Sequence, residues 1–338
     1  MSVRERGRPR LTTLAHITDA HVAPRGRRNA VLKDRSVEIL SDLVDQVAEA
    51  NADATLFGGD NIDNRGDGSR DLEEFLRLAN KGPDWLCVVG NHEASDGQKF
   101  LSKDEFARRA VGHGIRPGQH RFSEVVGDVR IIGIDTTLVG SHGGHVDDST
   151  LAFLARELRS ALEPHVVVLG HHLLAAPWAP YRLDAWDQEY LVSNRDVVTG
   201  LLASFPRVRA YLCGHHHASR IHRIAGRGEG GGFWHIMTSS PVAYPHSGRL
   251  LRFESDRLVV RSMRPRLDRV AEDGLAAVMS GRKARRYSAL GSARSFLDYV
   301  AGQPSDNDVI LPLVAQPREP SFPWRRPEPS EERFTVQS

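Results

Sequence analysis

Five short stretches gather the side chains that could do chemistry. They read Thr18-Asp19-Ala20-His21, Gly58-Gly59-Asp60-Asn61, Gly90-Asn91-His92-Glu93, Gly170-His171-His172 and Gly214-His215-His216-His217. Each follows an apolar run that reads as a short buried strand, so each sets carboxylate, amide or imidazole groups at a strand end. Imidazole mixed with carboxylate suits zinc, iron or manganese better than calcium. The donors outnumber what one ion needs, which predicts two ions sharing a bridging carboxylate. Taken singly, an Asp-x-His pair or a Gly-Asp turn occurs by chance. Five of them in succession, always after a strand, do not.

The elements that must position these groups alternate. Strands are expected at Leu11–Thr18, "ATLFGGD", "DWLCVVGNHE", "VRIIGIDT", "HVVVLGHH" and "VRAYLCGHHH". Between them, Val31–Ala50, "SRDLEEFLRLANKG", "DDSTLAFLARELRSAL" and "DVVTGLLASFP" carry apolar residues at helical spacing. Strand-and-turn character follows from Ser219 to Arg264. This is an α/β chain, and a layered sheet covered by helices is the economical packing. In open α/β sheets ligands gather beyond the carboxyl ends of strands, where the unusual polar residues stand. The expected partition is a flexible N-terminus (1–10), one large domain (11–264), a helical appendage (265–305) and a Pro-, Arg- and Glu-rich flexible tail (306–338).

Composition narrows the function classes. Forty per cent hydrophobic residues support a sizeable core, and 45 basic against 43 acidic side chains leave no charge excess for coating nucleic acid. Cys87 and Cys213 sit in apolar runs and read as buried free thiols, compatible with a reducing compartment. No segment approaches the length of a transmembrane helix or forms a signal-peptide core, so a cytoplasmic location is expected. A homo-oligomer is compatible with the sequence.

The order Asp-x-His, Gly-Asp, Gly-Asn-His-Glu, His and Gly-His-x-His resembles the calcineurin-like metallophosphoesterase superfamily over about Leu11–Ala218. The resemblance implies a four-layer α-β-β-α fold with two packed mixed β-sheets. It implies that Asp19, His21 and His217 hold one ion, that Asn91, His171 and His215 hold a second, and that Asp60 bridges them. His92 would face the substrate as the catalytic histidine and bind no metal. Two divalent ions roughly 3.5–4 Å apart can hold a hydroxide for attack on phosphorus and neutralise charge on the phosphoryl oxygens. An imidazole at His92 can stabilise or protonate the leaving oxygen.

Several residues have two readings. Glu93 would orient a histidine or cap its turn, and His16 would support the metal shell or fill the core. Asp63 would fix the loop after the bridging carboxylate. Asn61 and Arg65 could contact phosphate, and His172 and His216, alternating with the proposed ligands, could touch substrate. Pro177, Trp178, Tyr181, Trp186 and Tyr190 could wall the site against a base or leaving group, or simply pack a loop.

Within the superfamily, purple acid phosphatases place a metal-bound tyrosine where this chain has Asp63, and protein serine/threonine phosphatases lack the closing Gly-His-x-His. Lipid-precursor hydrolases usually carry Arg where His92 stands. The pattern that remains is similar to cyclic-nucleotide phosphodiesterases and glycerophosphodiesterases, which implies a small phosphodiester substrate and two divalent or mixed-valence ions drawn from Mn, Fe and Zn. A broad phosphomonoesterase, a nuclease and a binding protein retaining the fold are the alternatives.

Overall fold

The computed structural model describes residues 11–95, 100–176, 190–226, 231–280 and 293–313. The expected flexible N-terminus (1–10) and residues 314–338 of the expected tail lie outside them. Six strands, β1 (Thr12–Ile17), β2 (Ala54–Phe57), β3 (Trp85–Cys87), β10 (Gly248–Phe253), β11 (Arg257–Met263) and β12 (Val309–Pro312), form one sheet in the order β12-β11-β10-β1-β2-β3. A second holds β4 (Phe122–Val126), β5 (Val129–Gly133), β6 (His165–Leu169), β7 (Val208–Cys213), β8 (Arg220–Ala225) and β9 (Gly232–Met237), ordered β4-β5-β6-β7-β9-β8. Both sheets are mixed. β1, β2 and β3 run parallel in the first, as do β5, β6, β7 and β9 in the second, with antiparallel strands outside them.

Strand periodicity explains the layers. Ile131, Val167, Leu169, Ala210 and Leu212 join one buried cluster with Leu14, Leu56 and Leu251 of the first sheet, so the two sheets pack face to face. Their alternating neighbours Ile132, Val166, Val168, Tyr211 and Cys213 face the other way and bury Leu154 and Leu158 of helix Asp148–Ser160 and Val198 and Leu202 of helix Arg195–Ala203. On the far side, helix Ser36–Glu49 contributes Leu40, Leu43, Val44 and Val47, and helix Gly68–Ala79 contributes Leu72, Phe75 and Leu78. Asp67 and Asp147 start two of these helices, accepting the backbone N–H of Arg70 and of Thr150. The result is the four-layer arrangement of helices, two sheets and helices. Cys87 and Cys213 are both buried and unbridged.

Three expectations differ from what is observed. The helix expected from Val31 begins at Ser36, because a tighter turn at Lys33–Arg35 tucks Val31 and Leu32 under Val242 and Val270. Phe122–Val126 is a strand that no periodicity announced, with only Phe122 of its five residues buried. Within the stretch expected to be flexible from residue 306, Val309–Pro312 pairs with β11, and Leu311 and Leu313 enter the core. Of the expected appendage, helices Val270–Ser280 and Ala293–Ala301 are present, and Val270 and Ala277 bury against Val31, Leu32 and Ile39.

A buried arginine ties this C-terminal segment to the sheets. Arg249, fully buried on β10, donates from Nη2 to the carbonyls of Met237 (3.1 Å) and Asp306 (2.6 Å), from Nη1 to that of Asn307 (3.3 Å), and from Nε to Thr238 Oγ1 (3.2 Å). Burial lowers its pKa to about 10, so it stays charged near neutrality. Asp306 in turn accepts the backbone N–H of Ile221 at 2.7 Å, at the start of β8. Arg249→Met leaves three carbonyls without their donor and should destabilise the fold by at least ~3 kcal/mol, read as a lower urea midpoint. A midpoint equal to wild type would contradict this role for Arg249.

Candidate metal centre

The five motifs meet beyond the carboxyl ends of β1, β2, β3, β6 and β7. Backbone bonds fuse the first two loops: Asp19 N donates to Gly59 O (2.9 Å), His21 N to Asp60 O (2.9 Å) and Val22 N to Asn61 O (3.0 Å). Glycines permit the close approach of the others. A Cβ on Gly90 would lie 2.2 Å from Asp60 Oδ1, and one on Gly214 would lie 2.1 Å from Asp19 Oδ2. Asp19, His21, Asp60, His215 and His217 all hold left-handed backbone, with φ between 42° and 63°. Such conformations cost on the order of 1–3 kcal/mol each and persist where the surroundings enforce them.

Three triads of potential ligand atoms result: Asp19, His21 and His217; His21, Asp60 and His92; and Asp60, His171 and His215. In the first, His217 Nε2 lies 3.2 Å from both His21 Nε2 and Asp19 Oδ1. In the last, His171 Nε2 lies 3.1 Å from His215 Nδ1, 3.2 Å from Asn91 Oδ1 and 3.5 Å from Asp60 Oδ1. Asp60 stands between the two groups, its Oδ2 3.8 Å from His21 Nε2.

Whether metal fits is decided by where the protons are. His171 Nδ1 is 2.9 Å from Gly58 O. A carbonyl only accepts, so Nδ1 carries a proton, and Nε2 is the nitrogen left to meet a cation. Nε2 faces an amide oxygen and a carboxylate oxygen, a place that favours positive charge. Burial lowers the pKa of His171, but the Asp60 carboxylate raises it to about 9, so without metal a second proton sits there and a bound cation would take its place. Ligand atoms 3.1–3.2 Å apart are also spaced as neighbours on an ion bound at ~2.0–2.2 Å from each. Asp19 and Asp60, both buried, add two negative charges. The residues fit two divalent ions: Asp19, His21 and His217 around one, Asn91, His171 and His215 around the other, with Asp60 shared.

The supporting groups are equally specific. Glu93, fully buried, accepts the backbone N–H groups of Asp60 (2.9 Å), Gly90 (2.7 Å) and Ile62 (3.0 Å), so it caps the turn that carries Asp60. Burial and then the nearby Asp60 charge push its carboxyl up to about 7. His92 Nδ1 lies 2.6 Å from Asp63 O, which leaves Nε2 turned toward Asp60 Oδ2 at 3.9 Å. Asp63 also pairs with Lys33, so it anchors His92 and does more than close a turn.

The remaining candidates separate. His16 is a core histidine on Thr238 Oγ1 (2.8 Å), with burial holding its pKa down to about 3. Asn61 donates to Val88 O (3.1 Å) from a buried position, whereas Arg65 is exposed. His172 has both nitrogens engaged, by Thr136 Oγ1 (2.8 Å) and His142 O (3.1 Å), so neither is available to a substrate. His216 reaches Tyr299 Oη (2.9 Å) on helix Ala293–Ala301. Pro177, Trp178, Tyr181 and Trp186 lie outside the described residues.

Sequence reasoning missed Tyr299, Lys33 and the individual role of His142, whereas Tyr190 belongs to the expected aromatic wall. The ring of Tyr190 lies 4.5 Å from that of His216, and His142 Nδ1 lies 3.3 Å from Asn91 Nδ2. None belongs to a motif, although the Gly-rich stretch 139–148, which carries His142, reads in the sequence as a possible rim loop.

A model of the calcineurin-like phosphoesterase family matches residues 12–219, well over half the chain. The chain belongs to that family. A protein of Arcobacter nitrofigilis named as a probable glycerophosphodiester phosphodiesterase is 24% identical over 63% of this chain and 72% of its own. A cAMP/cGMP dual specificity phosphodiesterase of Mycobacterium tuberculosis is 29% identical over 61% and 62%. Among solved structures, a dimetal phosphatase from Danio rerio shares the fold with a TM-score of 0.57 at 18% identity, covering 74% of this chain and 95% of that one. Family membership and the paired clusters together support metal-dependent phosphoester hydrolysis.

Glu93 generates the test of this geometry. Glu93→Gln replaces one of its two acceptor oxygens with an amide NH2 that cannot take the N–H groups now bound. Titration of Mn2+ or Zn2+ into metal-free protein should show affinity reduced roughly 10–100-fold. Affinity within twofold of wild type would mean that Asp60 is held by other contacts.

Proposed function

We propose that this protein hydrolyses a small phosphodiester, with a cyclic nucleotide or a glycerophosphodiester as the favoured substrate class. The observation that carries the reading is Asp60, a buried carboxylate shared by two ligand groups directly beneath the Nε2 of His92. The named activities of the two curated relatives, both phosphodiesterases, support the choice of a diester. Among the described residues no helix is long and apolar enough to cross a membrane.

Asp19, His21, Asp60, Asn91, His171, His215 and His217 would hold two divalent ions, drawn from Mn, Fe and Zn by their mixed oxygen and nitrogen donors. When bound, such ions supply charge neutralisation for a phosphoryl group and a water acidified toward neutral pH. The chain's own residues do the rest. Asp60 and Asp19 offset only part of the positive charge, leaving the cleft attractive to one phosphate anion. His92, held through Nδ1 by the Asp63 carbonyl, keeps Nε2 for the substrate. Hydrolysis breaks one P–O ester bond and forms one from water, and the departing oxygen takes up a proton that Nε2 can hold. The product is a phosphomonoester and an alcohol, or a ring-opened monoester from a cyclic substrate.

A panel of phosphomonoesters, linear diesters, cyclic nucleotides and short oligonucleotides, assayed with defined metals, tests the substrate class. A small diester should give the highest kcat/KM, and chelation should abolish turnover until metal is returned. Preference for oligonucleotides with steep salt dependence would make the protein a nuclease instead. His92→Ala should retain both ions yet slow an unactivated diester by roughly 10²–10⁴-fold, and a nitrophenyl ester by less. Loss of an ion in that variant would assign His92 to the metal shell, and unchanged turnover would remove its catalytic role.

A further inference from the structure

We infer that His142, on the loop after β5 and outside every motif, is a positioning residue for Asn91 and a phosphoryl-binding group at the rim of the centre. The inference rests on the metal-dependent reading above. It starts from an amide whose two ends must be told apart. Asn91 can serve an ion only through Oδ1, and Oδ1 lies 3.2 Å from the Nε2 of His171. Were the amide turned over, its NH2 would donate to that same Nε2 and occupy the lone pair needed for metal.

The Nδ1 of His142 opposes that turn. It lies 3.3 Å from Asn91 Nδ2, and as an acceptor there it holds the NH2 end away from His171. A neutral imidazole that accepts at Nδ1 carries its proton on Nε2. His142 is exposed, and its Nε2 has no partner among the described residues. An N–H donor therefore stands free beside a ligand of the second ion, suited to an anionic phosphoryl oxygen.

The loop is built to hold the backbone of His142 in place. His142 O accepts from His172 Nε2 (3.1 Å), while His172 Nδ1 takes the hydroxyl proton of Thr136 (2.8 Å), whose oxygen accepts His172 N–H (3.2 Å). That closed set assigns the tautomer of His172 and explains the second histidine of Gly-His-His, which carries the rim loop. Neighbouring backbone bonds, Gly144 N to Leu191 O (3.3 Å), Ser193 N to Gly144 O (2.8 Å) and His145 N to Thr136 O (2.9 Å), pin the loop on either side. Gly144 itself lies against the His172 ring, where a Cβ would stand 2.6 Å from Cγ.

Two substitutions separate the ring nitrogens, and one readout is independent of turnover. Asparagine places an oxygen near the position of Nδ1 but offers nothing at Nε2. Manganese or zinc is titrated by calorimetry into metal-free wild type, His142→Ala and His142→Asn, and steady-state kinetics follow on the best diester of the panel. His142→Ala should weaken the second binding event about 10-fold, and His142→Asn should restore it. In His142→Asn the KM should remain raised several-fold, because the Nε2 donor is missing. Second-event affinity within twofold of wild type in His142→Ala, or no recovery in His142→Asn, overturns the positioning role. Recovery of KM in His142→Asn overturns the phosphoryl contact. Absence of diester turnover by metal-loaded wild type sinks the functional reading instead, and the calorimetric result stands apart from it.

Discussion

The structure depends on a crowding of lone pairs and negative charge that protein groups alone leave unbalanced. Asp19 and Asp60 are buried within one cleft, and the imidazole nitrogens of His21, His171, His215 and His217 converge on them. Burial pushes the Asp60 carboxyl up, but the surrounding imidazoles of His92 and His171 hold it well below the usual carboxylate range. The cluster thus draws positive charge to itself. Two divalent cations would supply that charge at the points where ligand atoms already meet. The left-handed backbone at five of the seven proposed ligands is the conformational cost of bringing the side chains to those points.

The fold offsets that cost by over-determining each loop. Parallel strands deliver their carboxyl ends to one edge, and the two sheets face each other so that β1 to β3 and β6 to β7 contribute from opposite sides. Beneath the ligands, Glu93 gathers three backbone N–H groups, Thr18 donates to Asp19 Oδ2 (2.7 Å) and Ser240 to Asp19 O (2.7 Å). The C-terminal segment takes part as well. Ser219 N, two residues past His217, donates to Val300 O (2.8 Å), and Tyr299 meets His216 between two ligands. A segment with no ligand of its own therefore buttresses the histidine loop.

The centre was legible in the sequence because its chemistry is local. Each ligand stands within a few residues of an apolar strand, and the glycines beside them mark close approach. The α/β layering of sheet and helix followed from alternating periodicities, and the packing of two sheets from the family resemblance. What escaped is what tertiary contact alone creates. Phe122–Val126 buries one residue of five, so it showed no alternation, and Val309–Pro312 lies in a polar, Pro-rich context and becomes a strand only by pairing with β11. Tyr299 and His142 reach the site from residues distant in sequence. Asn61 shows the converse: it has a motif's neighbour position and chemistry, yet its side chain bonds a core carbonyl.

The central claim is that Asp60 joins two cations in one buried centre. Anomalous diffraction from crystals of the metal-replete protein, recorded at the absorption edge of the added metal, tests it most directly. Two peaks should appear, one within ligand distance of Asp19, His21 and His217, the other of Asn91, His171 and His215, with Asp60 touching both. A single peak at saturating metal, or two peaks with Asp60 bound to neither, would contradict the account.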